Sequence, residues 1–228
     1  MYEIFFILVT IFCIYNLLNS PLNAKTYLIT VYGYIILAIL LLSLFMKIFE
    51  KYNLNFSLLF GLIIALLGII MIKFFKENII VTHLLWLLII GGMAIIVFPY
   101  SNVFNKSIVV TLILMLILTY IAYSYPLNTF TSWILPLSIA LFGLIIFEII
   151  NLLFGGNSKI YSIIAIFIFM GFVLYDTQNL INNFNVCTMK NNGSSNCADY
   201  PNQSLGIFLD IINLFTNISN LQSGGKSI

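Results

Sequence analysis

Apolar residues run along this chain in blocks of about twenty, separated by short polar joints, at 2–18, 27–46, 56–75, 79–98, 107–125, 133–154, 160–181 and 204–221. A helix that crosses the hydrocarbon core of a bilayer needs about 20 such residues, so each block is a candidate membrane span. The runs are nearly continuous and do not alternate in segments of about ten, which argues against a lipid-facing β-barrel. The joints Asn19–Lys25, Lys47–Asn55, Lys76–Asn78, Pro99–Lys106, Pro126–Ser132 and Gly155–Lys159 are short, so successive helices pack as antiparallel neighbours. The pattern predicts an all-α, polytopic transmembrane helix bundle. The first run, Tyr2 to Leu18, has an acid (Glu3) and no basic residue before it and no small-x-small cleavage site after it, so it is expected to be a retained helix.

The last block differs from the others. SLGIFLDIINLFTNISNL carries Asp210, Asn213, Thr216, Asn217, Ser219 and Asn220. Asp210, Asn213 and Asn217 stand at i, i+3 and i+7, along one helical face, and that face needs protein or water against it.

Composition narrows the class further. The chain of 228 residues is 62% hydrophobic and 7% charged. A soluble domain carries about 25% charged residues, so this chain cannot cover a water-facing surface, and it is no nucleic-acid binder. All nine basic residues are lysines; there is no arginine. Lysines divide almost evenly between alternate joints, so the positive-inside rule sets no orientation. Of three cysteines, Cys13 lies in an apolar run, whereas Cys187 and Cys197 share one polar segment. Those two can form a disulfide only on a non-cytosolic side.

The candidate chemistry is acidic. Asp176 follows the apolar stretch IYSIIAIFIFMGFVLY and stands about a turn and a half before the expected end of its helix. An aspartate at the centre of a spanning helix costs about 2.5–3.5 kcal/mol, so an intramembrane acid asks for a role. Asp210 is the second. The segment Asn182–Asn202 is long enough to return the chain antiparallel, which lets the two carboxyls meet at one depth. Such a pair shares a proton or holds a hard cation such as Ca²⁺. The spacing fits equally with two unrelated polar residues, one near each interface.

Glu148, deep in LFGLIIFEIINLLF, either lines the same cavity or pairs with Lys159. His83, in VTHLLWLL, reads as an interhelical hydrogen-bonding group or a second cavity residue. There is no GxSxG, HExxH or Cys/His cluster, so neither an enzyme nor a bound cofactor is expected. A two-aspartate intramembrane protease would show GxGD at the second acid, and the context here is FLDII.

The stretch GFVLYDTQNLI, 171–181, resembles the signature of the BAX inhibitor-1 family, also called the transmembrane BAX inhibitor motif family. LGIFLDIINLFTNISNL resembles that family's last helix, and FTSWILPLSIALFGLIIFEIINLLF the helix before the motif. The resemblance is clear over about 130–221 and faint over 27–125. It implies a bundle of seven helices over 27–228, with 1–26 as an extra N-terminal helix and loop. It also implies a pH-sensitive Ca²⁺ leak in the endoplasmic reticulum, Golgi or plasma membrane, with suppression of cell death in eukaryotic settings. The family's paired-aspartate sensor maps onto Asp176 and Asp210, supported by Tyr175, Thr177, Gln178 and Asn213, with Ca²⁺ as the ion sensed or carried.

The chain departs from the family in lacking the arginine that latches to the first aspartate, and in a longer segment between the sensor helices. The expected partners are the lipid bilayer, Ca²⁺ and membrane proteins. The competing expectation is a non-conducting membrane interaction protein that keeps the fold.

Overall fold

A computed structural model describes residues 24–54, 56–75, 78–154, 158–190 and 199–223. Among them the chain forms seven α-helices and no strand: α1 (Ala24–Lys51), α2 (Leu58–Phe74), α3 (Ile79–Val97), α4 (Phe104–Ser124), α5 (Ile134–Phe154), α6 (Ser158–Lys190) and α7 (Tyr200–Gln222). Short 3₁₀ helices, Phe98–Val103 and Thr131–Trp133, lead into α4 and α5. Five stretches are long and apolar enough to cross a membrane, one of them running continuously from Ile80 to Ser124 through Pro99. The 17 residues of α2 span about 25 Å, at the short end of what a bilayer requires. The protein is an integral multi-pass membrane protein of the all-α class. The expected helix 2–18, and the expected extra element 1–26 up to residue 23, lie outside the described residues; α1 already begins at Ala24.

Helix ends follow local chemistry. α1 stops in a Schellman motif: Asn53 adopts a left-handed φ of 49°. The Leu54 amide then reaches the Phe49 carbonyl at 2.9 Å and the Asn53 amide the Glu50 carbonyl at 3.2 Å. Ser57 and Asn78 cap α2 and α3 by accepting from the Phe60 and Val81 amides.

Several helix ends move by a few residues from the sequence expectation, α1 running to Lys51 where 46 was expected, and two of the shifts flank the candidate site. α6 was expected to end at 181 and continues to Lys190, and α7 was expected to start at 204 and starts at Tyr200. Packing of aromatic rings beyond the apolar runs explains both. Phe184 stacks on Tyr27 at 4.7 Å, and Tyr200, 1% exposed, stacks on Tyr34 at 5.8 Å. Asp199 caps α7, accepting from the Asn202 amide at 3.4 Å, and Pro201 sits in the first turn, where its missing N–H costs nothing. About four turns of α6 therefore follow Asp176, where a turn and a half was expected.

The chain divides into two compact units. Unit 1 comprises the residues up to Phe98 together with Asn183–Phe208. In it α2 and α3 pack with backbones nearly touching: a Cβ on Gly92 would stand 2.8 Å from the Ala65 nitrogen and 2.9 Å from the Gly61 carbonyl oxygen. A buried aromatic group fills the rest, with Tyr34 against His83, Trp86 and Tyr200. Unit 2 comprises Pro99–Asn182 and the residues from Leu209. Its apolar core is Leu118 of α4, Leu144 of α5, Ala165, Phe169 and Val173 of α6, and Leu214 of α7.

Candidate sensor site

The motif Tyr175-Asp176-Thr177-Gln178 lies in the part of α6 that belongs to unit 2, and its four residues turn to different surroundings because successive helical positions are about 100° apart. Tyr175 and Asp176 are half-buried, whereas Thr177 and Gln178 are fully buried. The Asp176 carboxyl stands within hydrogen-bonding reach of that of Asp210 on α7. A hydrogen bond between two carboxyl groups requires a proton on one of them, so this arrangement is suited to sharing a single proton. Asp210 is 7% exposed, and its Oδ2 has no hydrogen-bond partner among the described residues.

Gln178 has a separate task that sequence reasoning did not reveal. Its Nε2 donates to the Ala122 carbonyl at 3.2 Å and to the Pro126 carbonyl at 3.0 Å, and its Oε1 accepts from the Phe130 amide at 2.7 Å. Ala122 lies in the last turn of α4, whose carbonyls have no partner within the helix. Pro126–Thr129 is a β-turn with Asn128 at a φ of 76°, closed by the Thr129 amide on the Pro126 carbonyl at 3.2 Å. One glutamine thus satisfies both sides of the α4–α5 joint and ties it to α6 two residues beyond Asp176. The partners are backbone groups, so no side-chain pattern marked them.

The other expected site residues are dispersed. Asn213 donates its amide to the Leu209 carbonyl at 2.9 Å, and Asn217 donates to Asn213 at 2.8 Å, so both bond back along α7 itself. Glu148 is exposed on α5 and accepts from the Tyr161 hydroxyl at 2.7 Å. His83 belongs to unit 1, where its Nε2 lies 3.0 Å from the Tyr34 hydroxyl. The Cys187–Cys197 disulfide lies outside what is described, since neither thiol is.

Two carboxyls offer at most four oxygens, fewer than the six to eight that Ca²⁺ takes, so water or neutral oxygens would complete a coordination shell there. Among the described residues no group of three or more His, Cys, Asp or Glu comes together.

Residues 22–226 match the family model described as inhibitor of apoptosis-promoting Bax1. The chain belongs to the BAX inhibitor-1 family. The match covers all seven described helices, and the resemblance that seemed faint before residue 130 extends to the α1–α4 region. No curated protein matches the chain. In this BAX inhibitor-1 protein, the Tyr-Asp-Thr-Gln run combines two physical tasks: a carboxyl presented to α7 and an amide that ties the helix presenting it to the α4–α5 joint.

Proposed function

We propose that this BAX inhibitor-1 protein is a pH-sensitive Ca²⁺ leak channel of an endomembrane or the plasma membrane, with Asp176 and Asp210 as its sensor. The observation that carries the reading is the close approach of these two carboxyls on two spanning helices. When the shared proton leaves, two negative charges face each other in a medium of low dielectric. A cation entering between them, or separation of α6 from α7, relieves that repulsion. Ca²⁺ that displaces one proton binds more tightly as pH rises, by up to about tenfold per pH unit. The family's description as an inhibitor of apoptosis-promoting Bax1 supports an added role in restraining cell death.

The absence of arginine favours a second reading, a non-conducting interaction protein that keeps the fold, because no guanidinium is present to latch the first aspartate.

Ca²⁺ flux into proteoliposomes of the purified protein, from mildly acidic to mildly alkaline pH, separates the two. The leak reading expects a pH-dependent flux whose pH response disappears in Asp176→Asn and in Asp210→Asn. Asparagine can still donate to the remaining carboxyl, so both variants should fold. Flux equal to that of empty vesicles at every pH, from folded protein, would leave the interaction role.

A further inference from the structure

Orphaned oxygens occur at both ends of the α7 segment in unit 2. At one end is Asp210 Oδ2; at the other, Ser219 Oγ and Asn220 Oδ1 are buried without a hydrogen-bond partner among the described residues. Ser219 is wholly buried, and Asn220 donates its amide nitrogen to the Oγ of Ser162 on α6 at 2.8 Å, with Ser162 also wholly buried. The two polar points lie on one α6–α7 seam, Asp176 with Asp210 and Ser162 with Asn220. They are ten residues apart along α7, about 15 Å.

Between them the seam is apolar. Leu214 stands one turn after Asp210, on nearly the same face as Asp210 and Asn217, and it is fully buried in a core with Val173 and Phe169 of α6. Tyr161, the residue before Ser162, donates its hydroxyl to the Glu148 carboxyl at 2.7 Å.

An apolar helix pair would dispense with these polar groups, since unpaired oxygens in a membrane interior cost free energy that leucine would not. We infer that Ser162 and Asn220 form a second polar station for the permeating cation, and that Phe169, Val173 and Leu214 are the apolar seal between it and the aspartates. This rests on the leak reading. Neutral oxygens hold a divalent ion weakly, and an ion that must leave as readily as it enters requires weak stations. A dry apolar constriction blocks ions until it wets, so the seal sets the closed state.

The test is Ca²⁺ flux in proteoliposomes with the seal variants Leu214→Ser and Val173→Ser and the station variant Asn220→Leu. Helix content and elution in detergent serve as the folding check, and Leu214→Met as the variant that keeps the seal. The seal variants are expected to conduct severalfold faster than the unaltered protein at its least permeable pH, while Leu214→Met does not. Asn220→Leu is expected to slow flux at every pH and leave the shape of the pH response intact. Folded seal variants that conduct like the unaltered protein, or an Asn220→Leu protein with normal flux, would overturn the inference. If the unaltered protein is silent and Leu214→Ser conducts, the seal stands and the constitutive leak falls; if both are silent, both fall.

Discussion

Gln178 does more for the candidate site than its place two residues after an acid suggests. Its three hydrogen bonds serve two carbonyls and one amide, two of the three bonds being buried, and they fix the rotation of α6 at the depth where Asp176 meets Asp210. Gln178→Leu keeps the volume and removes all three bonds. Leaving a buried polar group unpaired costs about 1–3 kcal/mol, so the variant should lose on the order of 3 kcal/mol. Thermal unfolding in detergent will show a lowered midpoint, larger than for Asp176→Asn, whose amide retains a partner. The acids were legible in the sequence because a charge inside an apolar run is conspicuous. Gln178 was marked only by the family motif, and its task was not legible, because its partners lie 48 to 56 residues away and are main-chain atoms. The Tyr34–His83 pair was hidden for a similar reason: the histidine was visible, but the hydroxyl that meets it lies 49 residues earlier in a helix with many aromatic rings.

At the scale of helices, the apolar runs disclosed the existence of every described α-helix, because only a span of this length can satisfy its own backbone in lipid. They did not disclose where helices end. Phe184 and Tyr200 extend α6 and α7 through contacts that depend on the fold, although Asp199 followed closely by Pro201 was a readable start signal. The glycines show how closely helices approach. Gly92→Ala would push a methyl group to within 2.8–2.9 Å of backbone atoms of α2, where no side chain can yield. Overpacking of that kind costs about 1–3 kcal/mol. The adjacent Gly91 has nothing within 4 Å of a built Cβ, so Gly91→Ala should be neutral or stabilising by up to about 1 kcal/mol through helix propensity. Unfolding midpoints of the two variants, one residue apart, check the α2–α3 contact directly.

For the molecule as a whole, the spans differ in what surrounds them. In the most apolar window of the α5 region only 6% is buried within the protein, against 67% for α7. Phe142, Ile139 and Leu135 of α5 are all more than 60% exposed. In a bilayer, lipids carrying a photoactivatable acyl chain should label α5 heavily and α7 little; peptide mapping of the cross-linked protein reads the ratio. Equal labelling of the two helices would contradict this packing.

The polar face of α7 also bears on how the protein reaches its membrane. Its mean hydropathy over the best window is 1.2, against 2.5 for α1. Asp210 and the asparagines make lipid alone a poor host for it. The apolar helices can partition into the bilayer one at a time and associate afterwards, the order in which most helical membrane proteins assemble. For α7, insertion and folding are one event: its polar stripe becomes tolerable in the bilayer only once Ser162, Asp176 and the core around Leu214 are already in place to receive it.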